Sequence, residues 1–149
     1  MNFNLVCLAC GQGNRIPQEK LDAGPKCAVC GTALIKAEPT DISFDVLVKA
    51  TRIDSLPLIV DFWADWCGPC KTMAPEYAKA SKKLTGVARC AKLDTQAYPQ
   101  AGNRYDIRGI PLLIAFGAGH EIKRQSGAIS AEKIFAWASD LSATGAGAQ

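Results

Sequence analysis

The chain has 149 residues, of which 48% are hydrophobic and 21% are charged, and its formal net charge is +3. This composition is typical of a globular protein with a core and excludes an intrinsically disordered one. So small a net charge, without clustered lysines and arginines, argues against a nucleic-acid-binding protein. The length fits one ordinary domain with a small appendage.

The N-terminal stretch MNFNLVCLACGQGN has neither a basic region nor a long apolar run, so the sequence predicts no secretory signal. No stretch approaches the ~18 uninterrupted apolar residues of a membrane-spanning helix. Seven cysteines in such a chain indicate metal and redox chemistry rather than a disulfide scaffold. We therefore expect a cytoplasmic protein that binds neither membrane nor nucleic acid.

Residues 1–34 contain few large apolar side chains and many turn formers, so they require a cross-link such as a disulfide or a bound metal to fold. Four of the seven cysteines form two Cys-x-x-Cys pairs here, each followed by a glycine suited to a tight turn: Cys7, Cys10, Cys27 and Cys30. The spacing predicts a closed four-thiolate site with one structural zinc, in a module that works independently of the rest. Two disulfides, four unrelated buried cysteines or a rubredoxin-like iron site are the alternatives.

Strand-like and helix-like stretches alternate over residues 35–141. SLPLIVDFWA predicts a central strand covered on both faces, and CKTMAPEYAKASKKL predicts a helix kinked at Pro75. GVARCAKLD predicts a strand, YPQAGNRYD a short helix, and PLLIAFGAGHEIKRQSG a hairpin turning at residues 117–119. SAEKIFAWASDL predicts a helix capped by Ser130, and residues 143–149 predict a flexible tail. The order predicts an α/β protein with a mixed sheet between helices.

The third Cys-x-x-Cys pair, Cys67 and Cys70, lies where the buried strand ends and a helix begins. Unpaired amides and the helix dipole favour a thiolate there, so we expect Cys67 to be the nucleophile. Cys70 lies one turn on, shielded from solvent, and would resolve the mixed disulfide. The intervening Gly68-Pro69 adds no charge, which favours a reductant over an oxidase or isomerase. A structural or metal-binding pair is the alternative.

VDFWADWCGPC, AKLD, IRGIP and a glycine before the last helix, Gly127, together resemble the thioredoxin family over roughly residues 35–142. The four-cysteine segment in front resembles the zinc-containing thioredoxin 2 type. The resemblance implies a thioredoxin fold, with a five-strand mixed sheet flanked by four helices, behind a zinc-ribbon-like module of residues 1–34.

The resemblance also implies a function. It implies a protein disulfide reductase, a thiol-disulfide oxidoreductase that carries electrons to disulfide-containing client proteins without an organic cofactor. An NADPH-dependent thioredoxin reductase would recycle the dithiol, and we expect the chain to act as a monomer. A different class of function remains open: a zinc-dependent binding module that docks partners or senses oxidants, with the thioredoxin domain serving it.

The resemblance assigns further catalytic residues. Asp61 matches the family's buried carboxylate beneath the active site, where desolvation raises its pKa so that it can move protons for Cys70. Lys92 matches the lysine near that carboxylate. An edge-strand surface position for Asp61 and a solvated position for Lys92 are the alternatives.

The resemblance also assigns a substrate-binding surface. Pro111 matches the family's cis-proline, and the backbone of Ile110 before it would bond to an extended substrate. The implied surface comprises Trp66, Gly68, Pro69, Gly109, Ile110, Pro111 and Gly127. Trp63 could complete it, although a core position is the more common one for tryptophan. We expect the odd cysteine, Cys90, to be inert in the core rather than a regulatory thiol.

Overall fold

A computed structural model describes residues 1–142, and the tail predicted at 143–149 lies outside them. The chain begins with an antiparallel hairpin of β1 (Asn2–Val6) and β2 (Gly13–Pro17). A 3₁₀ helix over Gln18–Ala23 follows. The two predicted cysteine pairs flank this hairpin, one between its strands and one after the helix.

A five-stranded mixed sheet forms the body of the protein, in the order β3-β5-β4-β6-β7. Its strands are β3 (Thr40–Asp41), β4 (Leu58–Trp63), β5 (Arg89–Asp94), β6 (Leu112–Gly117) and β7 (His120–Ser126). β3 and β4 run parallel to β5, whereas β6 runs antiparallel to β4 and to β7. The predicted central strand is therefore β4, which has a neighbour on each side.

Four helices cover the two faces of this sheet: α1 (Phe44–Ile53), α2 (Gly68–Lys83), α3 (Gln100–Arg104) and α4 (Ala131–Ala138). Side chains of β4 alternate between the faces, as a strand requires. Leu58, Val60 and Phe62 pack with α1 and α3, whereas Ile59 packs with α2 and α4. The structure confirms the fold that the resemblance implied.

Several local features follow the sequence. Ser130 caps α4 by accepting a hydrogen bond from the amide of Lys133, and α2 continues through Pro75. The hairpin turns at Ala118 and Gly119, which both have positive φ, as a two-residue turn with the twist of the strands requires. The sequence pattern itself did not predict α1, β3 or the hairpin of β1 and β2.

The N-terminal segment packs directly against the sheet domain. Leu56 of the sheet domain completes its small core, whose other members all come from the N-terminal segment: Phe3, Leu5, Cys7, Ile16, Cys27 and Leu34. In the other direction, Val6 is fully buried in the main core. The amides of Asn4 and Val6 donate to the side chains of Ser55 and Asp54, which follow α1. The two segments that the sequence divided near residue 34 thus share apolar and polar contacts.

Candidate active site and metal centre

Cys67 and Cys70 form a disulfide at the N-terminus of α2, directly after the central strand. Cys67 is the N-cap residue, and its Sγ accepts a hydrogen bond from the backbone amide of Cys70 at 3.2 Å. Pro69 lies in the first turn of the helix, where its missing N–H costs no hydrogen bond. A sulfur in this place faces the positive end of the helix dipole, which favours the thiolate once the disulfide is reduced.

The predicted contrast in solvent exposure between the two cysteines is absent in this oxidised state, because Cys67 is 3% exposed and Cys70 is 2% exposed. The contrast lies in their partners instead. Only Cys67 caps the helix, and its Sγ lies 3.8 Å from the carbonyl oxygen of Ile110. Cys70 belongs to the buried face of α2, with Met73 and Tyr77. The two sulfurs therefore remain inequivalent.

The Ile110–Pro111 peptide bond is cis, as the resemblance implied. The carbonyl oxygen of Pro111 accepts a hydrogen bond from the amide of Gly127 at 3.0 Å, so the loop before β6 is tied to the segment after β7. Trp66 of the implied surface is 70% exposed. The other residues of that surface outside the cis-proline loop and Gly127 are exposed as well: Gly68, Pro69 and Gly109. The structure thus places Cys67, Ile110, Pro111 and Gly127 in one connected arrangement.

Asp61 is completely buried on β4, and neither of its carboxylate oxygens has a hydrogen-bond partner within the described residues. Burial raises the pKa of this carboxyl to about 7, and the charge of Lys92 opposes the rise. Lys92 lies directly opposite on β5, but its Nζ is 4.9 Å above the ring centroid of Trp63. Because side chains alternate along a strand, Asp61 and Lys92 lie on the face of the sheet that α2 covers. The predicted burial of Asp61 is confirmed.

The four N-terminal cysteine sulfurs lie within 4.8 Å of one another. Cys7 and Cys30 are 3.6 Å apart at Sγ, and Cys10 and Cys27 are 3.7 Å apart. A tetrahedral zinc with bonds of about 2.3 Å requires sulfur separations of about 3.8 Å. The donor set and its spacing therefore fit zinc.

Two similar turns, the first knuckle (residues 7–11) and the second knuckle (residues 27–31), supply these sulfurs. In each, the amide of the glycine donates to the carbonyl of the first cysteine, at 2.8 Å for Gly11 and 2.9 Å for Gly31. Both glycines have positive φ, 85° and 79°, which explains the residue type. The amides of Cys30 and Val29 lower the pKa of the Cys27 thiol, which favours the thiolate that a metal requires.

Cys90 is buried in β5, and burial raises the pKa of its thiol to about 11. It packs in the apolar layer beneath α2 and α4. This confirms the buried position predicted for it and gives the thiol no tendency to ionise near neutral pH.

Sequence analysis missed the contacts that fix the metal segment. Arg89 forms an ion pair with Asp54 in which both side chains are 4% exposed, and it also donates to the carbonyl of Leu34. Lys49 donates to the carbonyl of Gly11 in the first knuckle at 2.7 Å. An arginine within the apolar run VARCAKL was the available signal, because a buried arginine requires a partner.

Within residues 1–142, no helix combines the length and the apolarity needed to cross a membrane. The family model described as thioredoxin matches residues 35–140, and the zinc-ribbon model described as thioredoxin 2, N-terminal, matches residues 6–32.

Individual relatives agree with these models. Thioredoxin C-3 of Corynebacterium nephridii is 38% identical over 133 residues, which covers 89% of this chain and 91% of that protein. The chloroplastic M-type thioredoxin of Chlamydomonas reinhardtii is 30% identical over 117 residues, 76% of this chain and 84% of that one. The solved thioredoxin of Malassezia sympodialis superposes with a TM-score of 0.65 at 30% identity, covering 73% of this chain and 95% of the other.

Proposed function

Because the chain belongs to the thioredoxin family and carries the N-terminal zinc ribbon of thioredoxin 2, we propose that it reduces protein disulfides with Cys67 as nucleophile and Cys70 as resolving thiol. The family relationship makes it a thiol-disulfide oxidoreductase. The observation that supports the division of roles is the position of Cys67 at the helix N-terminus beside the Ile110 carbonyl.

The reaction consists of two exchanges. The Cys67 thiolate attacks one sulfur of the client disulfide, forming a mixed disulfide and releasing the other client sulfur as a thiolate that takes up a proton. Cys70 then loses its proton and attacks the Cys67 sulfur, which releases the second client thiol. Two electrons have passed to the client, and the Cys67–Cys70 disulfide of this structure is the product.

Asp61 is the proposed base for Cys70. A carboxyl with a pKa of about 7 can both accept and return a proton near neutral pH. Lys92 lies opposite and opposes the rise of that pKa, so it sets the pH at which the base operates. Both groups would act from the face of the sheet that α2 covers.

The proposed substrate-binding surface surrounds Cys67. An extended client segment would pair with the backbone of Ile110, which precedes the cis-proline Pro111. Its neighbours would rest on the exposed residues Trp66, Gly68, Pro69, Gly109 and Gly127. Exposed glycines leave room for a second backbone to approach closely.

The proposal extends to the setting of the reaction. Clients are disulfide-containing proteins of the cytoplasm, and an NADPH-dependent thioredoxin reductase returns the pair to the dithiol. The chain works as a monomer without an organic cofactor. Residues 1–34 form the metal module, and residues 35–142 form the redox domain.

One zinc, bound by Cys7, Cys10, Cys27 and Cys30, is the proposed metal content, because all four sulfurs lie within 4.8 Å of one another and two of the pairs are near the separation of a tetrahedral shell. A closed shell of this kind supplies structural cross-linking and no open coordination position. Cys10 and Cys30 are exposed, so peroxide can reach the site, and we propose that oxidation releases the metal. Metal retained through treatment with excess peroxide, followed with a chelating dye, would disprove this response.

Two variants test the division of roles. Cys67→Ser should abolish reduction of a protein disulfide, whereas Cys70→Ser should accumulate a mixed disulfide between Cys67 and the client. The measurement is thiol release together with mass spectrometry of the trapped complex. Full turnover by Cys67→Ser, or trapping through Cys70 in that variant, would show that the roles are assigned wrongly.

A further inference from the structure

A cleft of about 430 Å³ lies between the first knuckle and the carboxyl ends of β3, β4 and β5. Leu8 and Ala9 of the knuckle line it, together with Trp63, Lys92, Asp41 and Asp94 of the redox domain. Its volume is within the usual range of binding sites, about 300–1,000 Å³. The zinc ribbon therefore builds part of a concave surface together with the redox domain.

The knuckle wall of this cleft is held in place by the redox domain. Lys49 of α1 donates to the carbonyl of Gly11 at 2.7 Å, and Leu8 packs against the main core. A Cβ on Gly11 would lie 3.7 Å from Cγ2 of Val46, which is ordinary contact distance, so the knuckle backbone lies directly on α1. The cleft is thus preformed, and binding to it requires little ordering of the protein.

The cleft and the cis-proline loop lie on opposite sides of Cys67. Cys67 follows β4, which stands between β5 and β6 in the sheet. Pro111 directly precedes β6, whereas the cleft lies at the ends of β4, β5 and β3. A client segment extended across Cys67 would therefore have one flank at Ile110 and the other flank at the cleft.

The charged residues of the cleft indicate which side chains a bound client segment would carry. Within residues 1–142, no lysine or arginine forms a salt bridge with Asp41 or Asp94, and Asp41 is exposed. The ammonium of Lys92 lies over the ring of Trp63. Asp94 accepts hydrogen bonds from the amides of Gln96 and Ala97. Lys92 also lines the cleft, so Asp41, Asp94 and Lys92 together leave one net negative charge. A cleft of net negative charge with apolar lining attracts a cation that has an aliphatic neighbour.

We propose that this cleft binds a client segment in which an apolar side chain is next to a lysine or arginine, a few residues from the target cysteine. The proposal rests on the proposed function, since it assigns a specificity surface to the same reaction. The zinc ribbon then contributes to client choice through Leu8 and Ala9, while the exchange chemistry stays at Cys67.

The test uses the full zinc-loaded chain with the Cys70→Ser change, so that the first exchange is isolated. The probes are short peptides whose single cysteine carries a 2-thiopyridyl group, with Leu-Lys or Leu-Glu three residues away on either side. Attack by Cys67 joins its sulfur to the peptide sulfur, breaks the sulfur–thiopyridyl bond and releases 2-thiopyridone, which is followed by absorbance. On one side of the cysteine, the Lys peptide should react about three- to fivefold faster than the Glu peptide, because exposed charge pairs are weak.

Matched variants locate the effect. Ala9→Arg and Asp41→Asn should bring the Lys-to-Glu rate ratio towards one, whereas Val29→Arg should keep it. Ala9 and Val29 occupy the same position in the two knuckles, both are exposed, and only Ala9 lines the cleft. Zinc content measured for each variant shows whether its knuckle is intact, and Asp41→Asn tests the cleft without touching a knuckle.

A ratio near one in the parent protein, or a ratio kept by both Ala9→Arg and Asp41→Asn, would overturn the proposal. Self-association that Ala9→Arg abolishes and Val29→Arg retains, measured by size-exclusion chromatography, would assign the cleft to a second copy and overturn it as well. The small disulfide 2,2′-dithiodipyridine, which needs no binding to the cleft, distinguishes failure of the cleft proposal from failure of the proposed function. If Cys67 reacts neither with it nor with any peptide, the proposed function itself fails.

Discussion

Asp61 and Lys92 lie directly opposite each other on β4 and β5, yet they form no salt bridge. Both carboxylate oxygens of Asp61 are unpaired, and the ammonium of Lys92 lies 4.9 Å from the ring centroid of Trp63. A buried carboxyl without a direct partner favours its neutral form. This relationship has consequences both for stability and for the reaction.

The first consequence is that Asp61 weakens the fold at high pH. Burial raises its pKa from 3.8 to about 7, so between these values the folded protein binds more protons than the unfolded chain. Stability therefore falls as pH rises through this window, by up to about 4 kcal/mol. Asp61→Asn should be more stable than the parent at pH 8, and the difference should shrink towards pH 4. Urea denaturation at several pH values measures this, and a difference that does not vary with pH would contradict it.

The second consequence concerns turnover. Above pH 7 the Asp61 carboxylate can accept the proton of Cys70, whereas below pH 7 it is protonated and cannot. Asp61→Asn should slow disulfide reduction by about tenfold or more at pH 8 and much less at pH 5.5, because a missing base matters only where the base is active. Rates of client reduction across this range provide the check. A parallel pH profile for parent and variant would place Asp61 outside the proton path.

The dipeptide between the active cysteines sets the direction of electron flow. Pro69→His introduces a hydrogen-bond donor that is partly protonated near neutral pH, close to the Cys67 sulfur. It should stabilise the thiolate and hence the reduced form, which makes the pair more oxidising by about 30 mV or more, a tenfold change in the equilibrium constant. Equilibration with a glutathione buffer gives the potential. Pro69→Ala is the uncharged control and should shift it less; equal potentials for both variants would disprove the charge argument.

Sequence reasoning succeeded where a local pattern specifies the structure. The apolar run of β4, the capped helix α4 and the two cysteine pairs with their glycines are such patterns, and the structure has each of them. It did not find α1 as an element, although local signals were present: Ser43 caps this helix by accepting from the amide of Val46, and Leu47 and Ala50 lie on its buried face. The burial of Asp61 was predicted, but its lack of partners was not, since the position of the Lys92 ammonium depends on Trp63.

The sequence also did not predict the contacts between the N-terminal segment and the redox domain. In the sequence, Val6 and Leu8 belong to the cysteine-rich N-terminal segment, yet Val6 is part of the main core and Leu8 packs against that core. Asp54 and Arg89 both belong to the redox domain, and each also bonds to the N-terminal segment, at the amide of Val6 and the carbonyl of Leu34; nothing local pairs these groups. Such pairings follow from how the segments dock, which single-sequence patterns do not report. The cleft beside the first knuckle arises from the same docking.

The buried ion pair provides a prediction about this docking. Arg89→Met leaves Asp54 buried without its cation, while burial already raises the pKa of that carboxyl. The free energy of unfolding should fall by about 3–5 kcal/mol at pH 7, as measured by urea denaturation of zinc-loaded protein. Arg108→Met is the matched control, because the Arg108–Asp106 pair is 86% and 74% exposed and should contribute little. Equal losses in the two variants would show that the buried pair contributes no more to stability than an exposed pair does.

The central claim is that one Cys-x-x-Cys pair exchanges electrons while the other two hold a metal. Native mass spectrometry of the reduced, zinc-loaded chain, before and after one equivalent of oxidised client peptide, tests it directly. We expect one zinc in both spectra, the loss of two hydrogens on oxidation, and a single disulfide that peptide mapping assigns to Cys67 and Cys70. Zinc released at this first equivalent, or a disulfide that involves Cys7, Cys10, Cys27 or Cys30, would contradict it.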